Sequence, residues 1–210
     1  MKVPFDQNEA KKCIVQVQVS DKDEWARGFI TRSGKVMTAG HCLPELPTSD
    51  PENVHPTRVK IKDLEGLIEP WTVDVVFVDP CQDVAVLERT EYPTTTMHVC
   101  ESGGEGLCIE LEDYKTEFDV FIFTHENNWL SGKGTIATEL DTRIFVELDN
   151  ADDPVNPGTS GSPIFSSSGH VVGIVSTSTG RKEVTGVWLP NSLPLWLVKG
   201  ERAAIDEDEN

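Results

Sequence analysis

Positive charge is scarce in this chain. Its 210 residues hold 18 Lys and Arg against 36 Asp and Glu, a formal net charge of −18. A field of that sign repels phosphate backbones, so no nucleic-acid partner is expected. It also disfavours docking on an anionic membrane surface. Long apolar runs are absent: nothing approaches the roughly 18 residues a membrane-spanning helix needs. The stretch from Met1 to Lys12 lacks the apolar segment of a secretory signal. A cytoplasmic chain, or a segment of a larger polyprotein, is the expectation. Cysteine is also sparse. Cys13, Cys42, Cys81, Cys100 and Cys108 are odd in number and show no CxxC or Cys/His grouping. Neither a disulfide framework nor a zinc site is expected, and the thiols should be reduced and mostly buried. Cys100 and Cys108 form the one pair placed to bridge in an oxidising compartment. His55, His98, His125 and His170 sit among loop residues without a ligand grouping, so no metal and no cofactor are expected.

Helical periodicity is the third absence. No amphipathic run reaches helix length before Asn191–Lys199, where Ser192 is placed to cap and Pro194 falls early enough to be tolerated. What the chain does contain is strand after short strand. Cys13–Val19, Trp25–Arg32, Lys35–Ala39, Thr57–Lys62, Trp71–Val78 and Asp83–Glu88 are β-branched or aromatic and bounded by Gly, Pro and Asp. Phe118–Phe123, Arg143–Leu148, Val171–Ser176 and Glu183–Leu189 repeat the style. The class is all-β, with barrels or sandwiches as the architecture. Trp25, Trp71, Trp129, Trp188 and Trp196 are expected in the core or at barrel closures. The fragment Ser131–Gly134 resembles part of a phosphate loop but lacks its first glycine and its Ser/Thr.

Three short motifs carry chemistry. His41 follows a strand within Thr38-Ala39-Gly40-His41-Cys42. Asp83 opens an apolar strand after Asp79-Pro80-Cys81-Gln82. Ser160 lies in Pro157-Gly158-Thr159-Ser160-Gly161-Ser162-Pro163. A serine hydroxyl is a poor nucleophile near neutral pH and needs an adjacent base. Histidine suits that role, and a carboxylate fixes its tautomer and stabilises the imidazolium. The backbone N–H groups of Gly158 and Ser160 are then candidates for an oxyanion hole. Each motif is weak alone. The order His, Asp, Ser makes the set specific, since α/β-hydrolases run Ser, Asp, His and subtilisins Asp, His, Ser.

On these residues the chain resembles the chymotrypsin-like serine proteases. Thr38–Cys42 is similar to that family's histidine motif, Pro157–Pro163 to its nucleophile motif, and Gly173-Ile174-Val175-Ser176 to the strand lining its substrate cleft. Gly28-Phe29-Ile30 resembles the branch containing HtrA-type proteases, glutamyl endopeptidases and viral polyprotein proteases. The resemblance implies two six-stranded antiparallel β-barrels and a short C-terminal helix. Residues 1–100 would form the first barrel, 101–115 an acidic connector, 116–200 the second barrel with its helix, and 201–210 a disordered acidic tail. It implies His41, Asp83 and Ser160 as a catalytic triad, a polypeptide substrate and a monomer. Val155, Asn156, Val175, Ser176, Thr177 and Ser178 would line the substrate site. Cys42 has no evident partner, so the family's histidine-loop disulfide is expected to be missing. Val175 stands where glutamyl endopeptidases keep a histidine, which counts against glutamate specificity. Thr177 and Ser178 should narrow the primary pocket, favouring a small or medium uncharged side chain; Asp152 and Asp153 are read as solvated loop acids. Thr159 stands where digestive members keep the aspartate that pairs with a freed N-terminus. The loop should therefore be held by local contacts and need no activating cleavage. The rival expectation is a pseudoprotease that binds partners through the same fold.

Overall fold

The computed structural model describes residues 5–20, 24–43, 58–65, 70–88, 107, 109, 117–138, 140–150, 155–178 and 182–208. Strands β1 (Ile14–Ser20), β2 (Glu24–Ile30), β3 (Val36–Ala39), β4 (Arg58–Asp63), β5 (Trp71–Asp79) and β6 (Val84–Glu88) close into one barrel in the order β1-β2-β3-β6-β5-β4. Strands β7 (Glu117–Phe123), β8 (Trp129–Thr135), β9 (Arg143–Leu148), β10 (Pro163–Ser166), β11 (Val171–Ser178) and β12 (Glu183–Trp188) close a second in the order β10-β11-β12-β9-β8-β7. The paired strands within each barrel are antiparallel. This is the two-barrel, all-β architecture expected from the sequence.

Period-two geometry sends neighbouring side chains of one strand into different cores. Val15, Ala85 and Leu87 fill the first barrel, and Val120, Ile122, Ile144 and Ile164 the second. Their neighbours Ile14, Val84, Val86 and Phe165 point the other way, into a third cluster between the barrels with Phe29, Met37, Phe123 and Ile174. Strands buried on both faces read as unbroken apolar runs, as 84–87 does. The Ser33–Gly34 turn joins β2 to β3 with Thr31 N–H on the Lys35 carbonyl.

Three elements were not expected. Residues 129–135, part of which resembled a phosphate loop, form β8. Its glycines hide the strand signal: a Cβ at Gly132 would overlap the Glu147 carbonyl oxygen on β9. Helix α1 (Gln7–Lys12) precedes β1, capped by Asp6, whose Oδ1 accepts from Asn8 N at 2.9 Å and Glu9 N at 3.2 Å. Strand β10 is only four residues long. At the C-terminus, α2 (Leu189–Ser192) and α3 (Leu195–Asp208) replace the single expected helix. Ser192 does not cap α3; its Oγ donates back to the Trp188 carbonyl at 2.8 Å. The expected tail from Glu201 is corrected: α3 runs on to Asp208, and Glu201 is 1% exposed. Its carboxylate accepts from Thr31 Oγ1 at 2.6 Å, from Ser33 N at 3.3 Å and from Ser33 Oγ. That anchor ties α3 to the β2–β3 turn of the first barrel.

Most of the expected connector lies outside the described residues, as do Cys100 and Cys108. Within it, Leu107 bridges to Thr31 and Ile109 to Val171, one on each barrel, and both are buried. Cys13 and Cys42 are buried, while Cys81 is exposed. Trp188 is buried and Trp129 packs edge-on against Phe123 and at a tilt against Phe165, but Trp196 is exposed, contrary to the expected core position.

Glu201→Ala should lower unfolding free energy by about 1–3 kcal/mol, because it leaves the Thr31 hydroxyl without its acceptor. Glu201→Gln, which keeps an acceptor, should lose less. Urea unfolding of the three proteins checks this; equal midpoints would contradict the anchor.

Candidate active site

Strand pairing delivers the histidine and the aspartate to one rim. Ala39 of β3 pairs with Val84 of β6. A 3₁₀ turn, Gly40–Cys42, carries His41 off the end of β3, and Asp83 immediately precedes β6. Before it, Asp79 Oδ1 accepts from Cys81 N at 2.9 Å and Gln82 N at 3.0 Å, tightening the approach. Asp83 sits at φ 61°, left-handed backbone that a non-glycine residue adopts at a cost. His41 Nδ1 lies 3.0 Å from Asp83 Oδ1 and 2.9 Å from Oδ2, and His41 N–H donates to Oδ1 at 2.9 Å.

The serine comes from the second barrel. Gly161 N–H donates to the Val175 carbonyl at 2.8 Å, and Val175 N–H to the Ser162 carbonyl at 2.9 Å. Ser160 is thereby set beside Ser176. Ser176 is the bulged residue of β11: Val175 pairs with Gly186 and Thr177 with Thr185, leaving Ser176 out of register. Its Oγ donates to Asp83 Oδ2, and its carbonyl accepts Ser160 Oγ at 3.2 Å. The result is a continuous run of hydrogen bonds, Ser160–Ser176–Asp83–His41, across the barrel seam. No hydrogen bond joins Ser160 to His41 directly; His41 Nε2 faces Cys42 Sγ at 3.7 Å. Gly161 crosses the seam so closely, at φ 85°, that a Cβ would overlap the Arg27 carbonyl oxygen.

Residues 156–159 form a type II β-turn. Thr159 N–H donates to the Asn156 carbonyl at 3.2 Å, Pro157 occupies the second place, and Gly158 takes the positive φ of the third, 95°. Neither Gly158 N–H nor Ser160 N–H has a protein acceptor among the described residues. Thr159 is fully buried, and its Oγ1 accepts from His125 N at 3.0 Å. That is a local contact of the kind expected for this loop.

The expected substrate residues separate into two groups. Thr177 and Ser178 are exposed, and Ser178 Oγ donates to the Val155 carbonyl at 3.1 Å. Asn156 is exposed, with its Nδ2 on Glu126 Oε1. Val155 and Val175 instead pack in the core of the second barrel, so Val175 meets the site through its backbone alone. Ser176 turns its side chain to Asp83, not to the cleft. Asp152 and Asp153 lie outside the described residues. Arg27 and the 124–128 turn were missed. Their only sequence signal is one charged residue inside the buried run 26–30.

Burial alone would raise Asp83. The hydrogen bonds from the His41 ring, Ser176 and the His41 backbone, with the histidine's charge, outweigh burial and hold the carboxyl below its ordinary value. The hydrogen bond to Asp83, then the Cys42 contact, raise His41 against its partial burial. Such a pair stabilises the fold fully between the unfolded values of about 4 and about 6.5. The contribution fades as pH falls through the folded Asp83 value or rises through the folded His41 value.

The two barrels with a His–Asp rim facing a serine loop define a chymotrypsin-like serine protease fold. Residues 26–174 match the model of the Trypsin-like peptidase domain, and the chain belongs to that family. No curated protein matches the sequence. Among solved structures, the serine protease of a human pathogenic astrovirus is 14% identical, with 92% of this chain and 99% of that one covered at a TM-score of 0.58. The Rv3671c protease of M. tuberculosis, in an inactive form, is 18% identical over 98% of each chain at 0.57. A serine endoprotease from Yersinia pestis is 17% identical, covering 98% of this chain and 69% of that one, at 0.55. These structures share the fold.

In an NMR titration of the full chain, the His41 imidazolium should persist above the ordinary histidine value of about 6.5. Asp83→Asn should shift its midpoint downward. A midpoint that Asp83→Asn leaves unmoved would refute the coupling.

Proposed function

We propose that the chain is a serine endopeptidase that hydrolyses peptide bonds through an acyl-enzyme on Ser160. The observation that carries this reading is the hydrogen-bonded run from Ser160 through Ser176 and Asp83 to His41, in a chain of the Trypsin-like peptidase family. Ser160 Oγ attacks the carbonyl carbon and gives its proton to His41 Nε2. Substrate binding has to turn that hydroxyl from the Ser176 carbonyl to His41, a tightening expected as catalytic contacts assemble. Asp83 keeps the proton on Nδ1 and stabilises the imidazolium. The free N–H groups of Gly158 and Ser160 receive the oxyanion. His41 then protonates the leaving amine, and water cleaves the ester by the reverse sequence. Turnover needs neutral His41, so kcat/KM should rise with pH along a limb displaced above about 6.5.

The tie between Ser178 and Val155 favours a narrow primary pocket, and hence a small or medium uncharged residue before the scissile bond. A peptide-library profile dominated by Lys or Arg would overturn that preference. The second reading is a catalytically silent binding module, favoured only by the Ser160 hydroxyl resting on Ser176 instead of His41.

A fluorophosphonate probe separates the two. The intact chain, with Met1 confirmed by mass spectrometry, should label at Ser160 at once, without N-terminal cleavage. Ser160→Ala should abolish labelling and lower turnover by roughly a million-fold, and Asp83→Asn should lower it about ten-thousand-fold. Near-normal turnover by Ser160→Ala would end the protease reading.

A further inference from the structure

Arg27 is the anomaly of the first barrel. It lies in β2 between Ala26 and Gly28, is 3% exposed, and makes no ion pair of hydrogen-bonding distance among the described residues. Removing a guanidinium from water is costly unless its donors are well met. Burial lowers its pKa from 12.5 to about 10, with the charge of Glu126 partly offsetting this. Its Nε has no partner among the described residues. Both hydrogen bonds of the guanidinium come from Nη2 and go to one place: the His125 carbonyl at 2.8 Å and Asn127 Oδ1 at 2.9 Å. The Phe123 ring lies beneath, its centroid 5.8 Å from Cζ.

The residues it grips form the turn between β7 and β8. Asn127 holds φ 64° there, and Asn127 N–H closes the turn on the Thr124 carbonyl at 3.1 Å. The far side of that turn meets residues 156–159 at three points. His125 N–H donates to Thr159 Oγ1. Glu126 accepts from Asn156 Nδ2. The His125 ring lies on Gly158, its Nδ1 only 2.7 Å from where a Cβ would stand. The backbone of Arg27 closes the circuit, since its N–H donates to the Ser160 carbonyl at 2.9 Å. One buried residue thus holds both ends of the loop, Ser160 directly and Gly158 through the turn.

We propose that Arg27 is the positioning residue of the oxyanion loop, its guanidinium clamping the 124–128 turn that sets Gly158 in place. The proposal rests on reading Gly158 and Ser160 as the oxyanion donors. A guanidinium supplies what an apolar side chain of similar volume cannot: a rigid cation reaching a carbonyl and an amide oxygen at once. Glu126, His125 and the Asn127 amide are the groups it faces; Asp83 and His41 touch other atoms.

The test uses the full chain with Arg27→Met, Arg27→Lys and Asn127→Ala. Hydrogen exchange reads positioning without requiring activity. Arg27→Met should speed exchange at 124–128 and 156–160 while the two barrels stay protected. On a peptide chosen from the library profile, kcat should fall by about a hundredfold, the scale of one lost oxyanion donor, with KM little changed. Arg27→Lys should fall between the two proteins. Asn127→Ala, which spares the buried cation but removes one bond and strains the left-handed backbone of the turn, should show a smaller loss in kcat alone. Unchanged exchange at 156–160 in Arg27→Met overturns the proposal. So does a fall in kcat matched by loss of protection across both barrels, which would mark a merely structural role. Should Arg27→Met not fold, Asn127→Ala decides, and wild-type exchange and kcat there overturn the proposal. A wild-type chain inert to fluorophosphonate would sink the protease reading instead, while the exchange data still decide on Arg27.

Discussion

The approach of residues 160–161 to strand β2 is the constraint on which the site depends. A single backbone bond, from Arg27 N–H to the Ser160 carbonyl, crosses the seam there, and only a glycine at 161 lets the chains come so near. Moved apart by the width of a methyl group, the serine loop would leave β2, and Asp83 would lose the Ser176 hydroxyl that joins it to the second barrel. The bulge in β11 is the second half of the same constraint. A regular strand would spend the Ser176 carbonyl on its neighbour; the displaced residue keeps it for Ser160. The chemistry of the site is therefore set by where one strand is irregular and where two strands nearly collide.

Charge in the site is arranged economically. The carboxylate of Asp83 meets three donors, two of them from His41 and one from across the seam. Its left-handed backbone is a local cost tolerated because the pairing of β3 with β6 and the Asp79 turn leave it no alternative. Arg27, by contrast, keeps its charge in a nearly dry place and directs both bonds at neutral oxygens.

Much of this was legible in the amino-acid order, and the reasons are physical. Strands buried on both faces announce themselves through runs such as Val84–Leu87, and the motifs around His41, Asp83 and Ser160 stand out by their sequence order. Strand β8 stayed hidden because close packing against β9 demanded glycine where β-branched residues would have signalled a strand. The acidic end of α3 resembles a tail, and nothing local to Glu201 reveals donors as distant in sequence as Thr31 and Ser33. Position along its motif points Val175 to the cleft, whereas alternation in β11 turns its side chain into the core. The role of Ser176 was hidden for a related reason, since a bulge is a property of two paired strands and not of either one.

The cluster between the barrels has one more consequence. Phe29, Met37 and Val86 belong to one barrel and Phe123, Phe165 and Ile174 to the other, yet they share a single apolar core with Leu189 and Leu197 from the terminal helices. Neither half can be lifted away without wetting the largest side chains of both. The two barrels are thus not interchangeable modules. Cut apart, each would expose a sticky face, and the molecule should hold together or come undone as one cooperative unit.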